Sequence, residues 1–392
     1  MTTPLDWLIV GGGVHGTHLS HVLVNRAGVA PDRVRVLDPQ EHPLETFWRV
    51  TGATGMRYLR SPGVHHVDLH PYALRRFAKK GAGKRLARFV YPYDRPGLDF
   101  FRAHTEHVVR ENGLGSLRER CRATTIARLG EGYRVETDQG ALDSRRVVSA
   151  IGLEEQLCVP SWARPFEGDA RVEHIFSATF SREAATAARS VAIVGGGISA
   201  AQLACALAAA GTEVTIVARH VPRIHRFDSD PEWLGPKAMS GFSRTRDPRE
   251  RRRLIASARH RGSMPPEIAS DLRRELRRAR AKWLEAEPVS ADATPAGVRL
   301  RLDRAPHVLE VDRVVLATGF EVHRPGGALL GEDAIDRLGL PCADCGYPLV
   351  SPRLEWASGL FVTGPLAELE LGPTARNIAG ARAAGERLLA AA

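Results

Sequence analysis

Trp7-Leu8-Ile9-Val10-Gly11-Gly12-Gly13-Val14-His15-Gly16 decides the fold, because a short apolar run stops at spaced glycines and a stretch of small and apolar residues follows. The run reads as a buried strand, and the stretch after it, to about Arg26, as a helix. In such a turn Gly11 permits the tight bend, Gly13 lets backbone approach a pyrophosphate, and Gly16 lets helix and strand pack closely. The helix N-terminus would offer its free N–H groups to phosphate oxygens. A second apolar run, Val34 to Leu37, ends at Asp38. A carboxylate about twenty residues beyond the turn would accept both hydroxyls of a ribose.

The same grammar returns in mid-chain. Val191 to Val194 leads into Gly195-Gly196-Gly197-Ile198-Ser199-Ala200, a helix to about Ala210 follows, and Val214 to Val217 closes the unit. Gly195 and Gly197 repeat the first two glycine roles, and Ala200 satisfies a third position that only has to pack. The strand end differs: Ala218 and then Arg219 stand where the first copy has Asp38. An arginine attracts a 2′-phosphate that a carboxylate would repel, so the second turn is predicted to prefer NADPH over NADH. Each copy is later followed by alternating, meander-like runs that end on small residues, Ala150-Ile151-Gly152 and Ala317-Thr318-Gly319. The expected fold class is α/β: two Rossmann-like dinucleotide-binding domains, the second inserted in the first, with a small helical insert.

Working outward, residues 1–155 and 320–392 are expected to form the first domain and 156–319 the second, the latter containing a helical insert over 222–286. Pro248 to Ala258 and Pro266 to Trp283 show helical spacing of apolar and charged residues. Pro43 to about Pro96 carries turns, aromatics and basic residues where a long βα connection would cover a ligand. A strand at Leu360 to Thr363 and a last helix would complete the first sheet.

Composition narrows the function classes. A chain of 392 residues with 43% hydrophobic content can bury a large core. The longest small-apolar stretch, Ile198 to Ala210, is too short to span a bilayer. Met1 to Asp6 lacks the basic region of a cleavable leader, so the chain is expected in the cytoplasm, away from the membrane. Five cysteines do not make a disulfide framework. The net charge of +10 is carried mainly by arginine on helical faces, with no basic-aromatic stripe, so nucleic acid is not an expected partner. No metal is expected: Cys342-Ala343-Asp344-Cys345 has no second ligand pair for zinc, and His65, His66 and His70 read as local hydrogen-bonding groups. A homo-oligomer is left open.

With two dinucleotide units, one nested in the other, the chain resembles the FAD- and NADPH-dependent flavin monooxygenases, and most the ornithine and lysine N-hydroxylases among them. Trp48 followed by Thr54-Gly55-Met56-Arg57-Tyr58-Leu59-Arg60-Ser61-Pro62 is similar to the segment that covers the flavin ring in that family. Tyr91-Pro92-Tyr93-Asp94-Arg95-Pro96, leading to Phe100 and Phe101, resembles its proline-and-arginine approach to a helix. Ala317-Thr318-Gly319 looks like its second-domain strand end. Gly364-Pro365-Leu366-Ala367-Glu368-Leu369-Glu370-Leu371-Gly372-Pro373 looks like its flavin-contacting C-terminal turn. The resemblance implies FAD on the first turn and NADPH on the second, with Thr318, Gly319, Gly364, Leu371 and Gly372 contacting cofactor and Trp48, Met56 and Arg57 lining the ring pocket. It stops at the substrate: where the N-hydroxylases carry an asparagine-tyrosine pair, this chain reads Arg259-His260-Arg261-Gly262-Ser263-Met264-Pro265-Pro266.

The activity so implied is NADPH-consuming N-hydroxylation of an amine or amino-acid-like small molecule with O₂, through a C4a-hydroperoxyflavin. The flavin does the difficult chemistry, which is why no Ser-His-Asp or paired-carboxylate constellation need appear. Two other readings remain at this stage. Cys342 and Cys345 could make the chain a reductase that passes electrons to a dithiol or carrier protein, and a non-catalytic flavin-binding interaction protein would hold FAD without NADPH reducing it.

Overall fold

A computed structural model describes residues 4–392. The run that opened the sequence reading is a strand, Leu5–Val10, whose Trp7, Leu8 and Ile9 are wholly buried. It lies at the centre of the first sheet, paired in parallel with Val34–Asp38 on one side and Gly140–Ser149 on the other. A strand covered on both faces reads as a continuous apolar run, as this one does. Arg118–Arg120 extends the sheet beyond Val34–Asp38, and Leu360–Val362, from near the C-terminus, adds in parallel beyond Gly140–Ser149. The chain therefore returns to its first sheet after building a second.

The second sheet is wholly parallel, in the order Ala281–Glu285, Glu213–Ala218, Ser190–Val194, Arg313–Leu316, Val172–His174. Each unit also carries an antiparallel meander: Ala123–Leu129, Gly132–Thr137 and Gly140–Ser149 in the first, Pro288–Thr294, Gly297–Leu302 and Val308–Val311 in the second. The architecture is α/β, with two Rossmann-like units, the second nested in the first.

The helical insert is an enlarged crossover between two adjacent strands of the second sheet, Glu213–Ala218 and Ala281–Glu285. It holds the helices Pro236–Arg244, Pro248–Ala258 and Pro266–Arg277, each begun by a proline at its first position. Proline suits that position because its missing N–H is one the helix could not use. The helix expected over Pro266 to Trp283 is shorter than its apolar spacing suggested. It ends at Arg277, Ala279 takes a left-handed conformation (φ +53°), and Trp283 lies on a sheet strand. Alternation and helical period are hard to separate over so few residues, and here the tertiary pairing with Glu213–Ala218 decides.

Candidate functional site

Both glycine turns are built alike. Gly11 (φ +107°) and Gly195 (φ +134°) adopt backbone that only glycine takes easily, and a Cβ on either would lie 2.7 Å from the Ala150 carbonyl oxygen or 2.4 Å from that of Ala317. Helices Val14–Asn25 and Ile198–Ala209 start directly after Gly13 and Gly197, and neither has a side-chain cap. Their first N–H groups are thus free for an anion. At the third position Gly16 is obligatory in its present backbone, since a Cβ would fall 1.8 Å from the Gly11 carbonyl oxygen, whereas Ala200 is fully buried.

The first turn is tied down from several directions. Asp38 accepts the Gly12 N–H at 2.5 Å through Oδ2 and the Gln40 N–H at 2.8 Å through Oδ1. Arg118, a residue the sequence reading did not single out, lies across the turn. It stands 3.7 Å from Asp38 and donates to the carbonyls of Gln40 and His42 at 3.1 and 3.3 Å. His15 shares a 2.8 Å hydrogen bond between Nδ1 and Thr363 Oγ1, and its ring packs on Gly364 (φ +64°), so the N-terminal turn is locked to the C-terminal one. Burial brings the His15 pKa down to about 4, which keeps the ring neutral at ordinary pH.

Trp48 and Met56 are brought together, in a small cluster with Val14, Leu59, Phe101 and Ile378 at the starts of the first and last long helices. The Trp48 ring lies 5.0 Å from Phe47 and 6.1 Å from Phe101. Arg57 is set apart from them: its side chain is 68% exposed and its guanidinium meets Asp271 of the insert at 2.5 Å. Leu371 packs into the core of the first unit. Gly372 faces the insert, where a Cβ would stand 3.2 Å from Met239 Sδ. Thr318 donates to the Cys158 carbonyl at 2.5 Å, and Gly319 (φ +81°) accepts the Cys158 N–H, so this strand end stitches the two chain crossings together.

The second turn is more open. No carboxylate receives the Gly196 N–H; the position facing it is held by Ala218 and the His220 ring, and Gly197 faces Gly262. Arg219 projects into solvent with 76% of its side chain exposed, and its nearest acid, Glu287, is 3.9 Å away.

A buried charge cluster also escaped the sequence reading. Glu368, wholly inaccessible, is surrounded by Arg252, Arg259 (3.1 Å) and Arg376 (2.7 Å), joining the insert to the C-terminal turn. Burial pushes its pKa up, but the hydrogen bond from Arg376 and the charges of the three arginines outweigh this and hold it below the ordinary range. Cys342 and Cys345 are both free thiols. Burial raises the Cys342 pKa, the opposite of what a nucleophilic thiolate needs. His225, Asp230 and His260 come close together, but the two imidazoles stack nearly parallel at 3.7 Å. An ion in the plane of one ring would lie well out of the plane of the other, so one ring would have to turn before both could bind it.

The comparisons with known proteins agree with this geometry. A protein-family model described as pyridine nucleotide-disulphide oxidoreductase matches residues 98–252. No curated protein matches the sequence. Among solved structures, ornithine hydroxylase (PvdA) from Pseudomonas aeruginosa superposes with a TM-score of 0.78 at 20% identity, covering 99% of this chain and 98% of that one. The ornithine N-hydroxylase of Kutzneria sp. 744, solved with FAD, NADP⁺ and L-ornithine, gives 0.79 at 16% identity over 99% of both chains. The FAD-bound cadaverine monooxygenase DfoA of Erwinia amylovora gives 0.78 at 16% identity, covering 99% and 94%. The chain shares the two-unit fold of these solved structures over 99% of its length. Among the described residues no helix is long and apolar enough to cross a membrane.

Proposed function

We propose that the chain is an FAD-dependent, NADPH-consuming monooxygenase that hydroxylates the nitrogen of an amine or amino-acid-like small molecule. The observation that carries this reading is the nested pair of uncapped glycine-turn helices with opposite strand-end chemistry, Asp38 on the first and Arg219 on the second. The structural neighbours solved with FAD and with NADP⁺ support the same assignment. Residues 1–155 with 320–392 would hold FAD, and 156–319 NADPH.

The described residues fit FAD. The free N–H groups after Gly13 would receive its pyrophosphate, and Asp38, already oriented by the Gly12 and Gln40 N–H groups, keeps lone pairs for ribose hydroxyls. FAD, once bound, supplies the two-electron exchange with NADPH and the activation of O₂. The chain itself orients and dries the site. Trp48, Phe47 and Phe101 form an apolar wall that excludes water, which slows unproductive loss of the oxidising equivalent as peroxide. Neutral His15 fixes the C-terminal turn against the first helix without adding charge. Arg219 would meet the 2′-phosphate of NADPH, with the open second turn letting this cofactor enter and leave.

The test is anaerobic reduction of the purified yellow protein by NADPH, followed by mixing with O₂ and candidate amines. Oxygen-dependent NADPH consumption with hydroxylated product, or H₂O₂ in its absence, supports the proposal. Turnover that persists under nitrogen with an added disulfide as electron acceptor, and that requires Cys342, would replace it with the reductase reading.

A further inference from the structure

From His70 to Tyr93 the chain carries seven positive charges, between Arg75 and Arg88, and no acid. Three of the five lysines in the whole sequence, Lys79, Lys80 and Lys84, fall in this stretch. The fold gathers it into one surface. Helices Ala73–Phe77 and Gly81–Leu86 turn Leu74 and Gly83 inward, and Phe77 stacks on Phe100 of helix Leu98–Glu111 at 5.8 Å. A Cβ on Gly83 would fall 2.1 Å from the Phe77 carbonyl oxygen, so the two short helices are in close contact. Arg75 reaches Asp94, which joins them to the turn at 91–94. The base of that turn is fixed by buried Arg95, 2.5 Å from Glu267 of the insert.

Arg75 is committed to Asp94, and Arg88 to the carbonyls of Arg85 and Ala87. Arg76, Lys79, Lys80, Lys84 and Arg85 are exposed, and among the described residues none of these five side chains makes an ion pair or a hydrogen bond. On the helix beneath, Glu106 is paired with Arg102 and Glu111 with Arg110, which leaves Asp99 as its one acid outside an ion pair among the described residues. Exposed apolar side chains share the surface. Tyr93 takes a left-handed backbone (φ +77°) with its ring edge-on to Phe227 at 5.0 Å, and Tyr91 is left 74% exposed. Tyr72, Leu86 and Val64 are exposed as well. A run of charges alone would be a solvated helical face. A solvated face has no need of large apolar side chains gathered among its charges.

We propose that this surface docks the protein peripherally on an anionic lipid bilayer, its lysines and arginines over the headgroup phosphates and its tyrosines and Leu86 in the interface. Tyrosine rings and long cationic side chains both suit that layer, apolar along the stem and polar at the tip. About four to eight basic residues on one face are enough to draw a protein to anionic lipid. Lysine favours lipid over nucleic acid, because it neutralises phosphate as a point charge without the planar two-point fit of a guanidinium to a base edge. Five cations free of fixed contacts suit a fluid layer of phosphates better than the fixed acceptors of a protein partner. No stretch of the chain spans a bilayer, but peripheral docking needs none.

The purified full chain is floated with unilamellar vesicles of phosphatidylcholine, alone or with about one third phosphatidylglycerol, at about 0.1 and 0.5 M salt. Binding to the anionic vesicles only, weakened by salt, is expected. The triple variant Lys79→Gln/Lys80→Gln/Lys84→Gln should lower the partition coefficient about a hundredfold. Tyr91→Ser should lower it about threefold or more. Arg246→Gln/Arg273→Gln/Arg277→Gln removes the same charge from exposed positions of the insert and should change it by less than about threefold. All seven side chains are exposed, so flavin content and unfolding midpoint should stay constant. Absence of binding to anionic vesicles at the lower salt, or equal losses in the two triple variants, overturns the proposal. Binding of duplex DNA or poly-L-glutamate in preference to vesicles, lost in the lysine variant, also overturns it and gives the surface to nucleic acid or to an acidic protein.

Discussion

The two glycine turns share a backbone and differ in almost everything attached to it. The first is braced by Asp38, Arg118, His15 and Thr363, and its third glycine tolerates no side chain. The second has alanine in that place, no carboxylate on its N–H, and an arginine extending into solvent. A braced site loses little further freedom when a ligand binds, which favours tight and lasting retention. An open one favours exchange. The difference matches a flavin that stays while a nicotinamide cofactor comes and goes.

The largest effect expected from this contrast is at the third position. Gly16→Ala would drive a Cβ into the Gly11 carbonyl, costing about 1–3 kcal/mol as an overpacked contact, and should abolish FAD retention. Ala200→Gly should cost only about 1 kcal/mol, the helix-propensity difference, and leave FAD bound. The flavin-to-protein ratio after purification and the unfolding midpoint report both. If the two substitutions behave alike, the bracing of the first turn has no consequence.

At the strand ends, Asp38→Ala removes the acceptor of the Gly12 N–H and leaves the half-buried Arg118 without its acid. FAD affinity, followed by fluorescence on release, should fall about tenfold or more. Arg219→Ala should leave FAD untouched and lower the NADPH-over-NADH preference in kcat/KM by about tenfold. An unchanged preference would reduce Arg219 to a solvated strand end.

The units should also part company in acid. His18, His66 and His104 are buried in the first unit, and burial lowers their pKa values from 6.5 to about 3, 3 and 4; in the second unit His174 is the buried one, lowered to about 4. The unfolded chain binds protons below pH 6.5 that these folded rings refuse. Stability is therefore full above pH 6.5 and falls as pH drops toward 4, by about 1.4 kcal/mol per histidine per pH unit. Flavin release should accompany the first loss of structure in denaturant titrations between pH 7.5 and 5. A midpoint independent of pH over that range would mean that these four rings are charged or solvated in the native chain.

How much of this could be read beforehand depends on whether the signal is local. The turns, their helices and the buried strands are written in consecutive residues, so the nested α/β fold was legible from Trp7 to Gly16 and Val191 to Ala200. Trp283 was misplaced on a helix because its strand is defined by pairing with Ile216, a partner distant in sequence. Arg118 went unread for the same reason, and Glu368 and Arg95 were legible only as parts of family-like stretches, with no contact of their own. Each is one arginine or glutamate among many, and only the fold shows which of them is buried against a turn, enclosed by three cations or paired with an acid of the insert. Arg57 illustrates the converse, since its neighbours suggested the flavin wall while its side chain reaches across to Asp271.

The smallest expected effect concerns the pair that competes with the whole comparison. If the second turn serves a nicotinamide cofactor that reduces flavin for oxygen, the thiols after both units have no electrons to carry. Burial raises the Cys342 pKa, and its nearest hydrogen-bond donor is Arg324 at 3.7 Å, which lowers it only partly. Cys342→Ser should then change O₂-dependent NADPH oxidation by less than about twofold, because serine keeps a hydrogen-bond acceptor for Arg324 while removing the redox centre. A collapse of turnover in that variant, with FAD content and unfolding midpoint intact, would show electrons leaving through sulfur, and the open second turn would then serve a reductase.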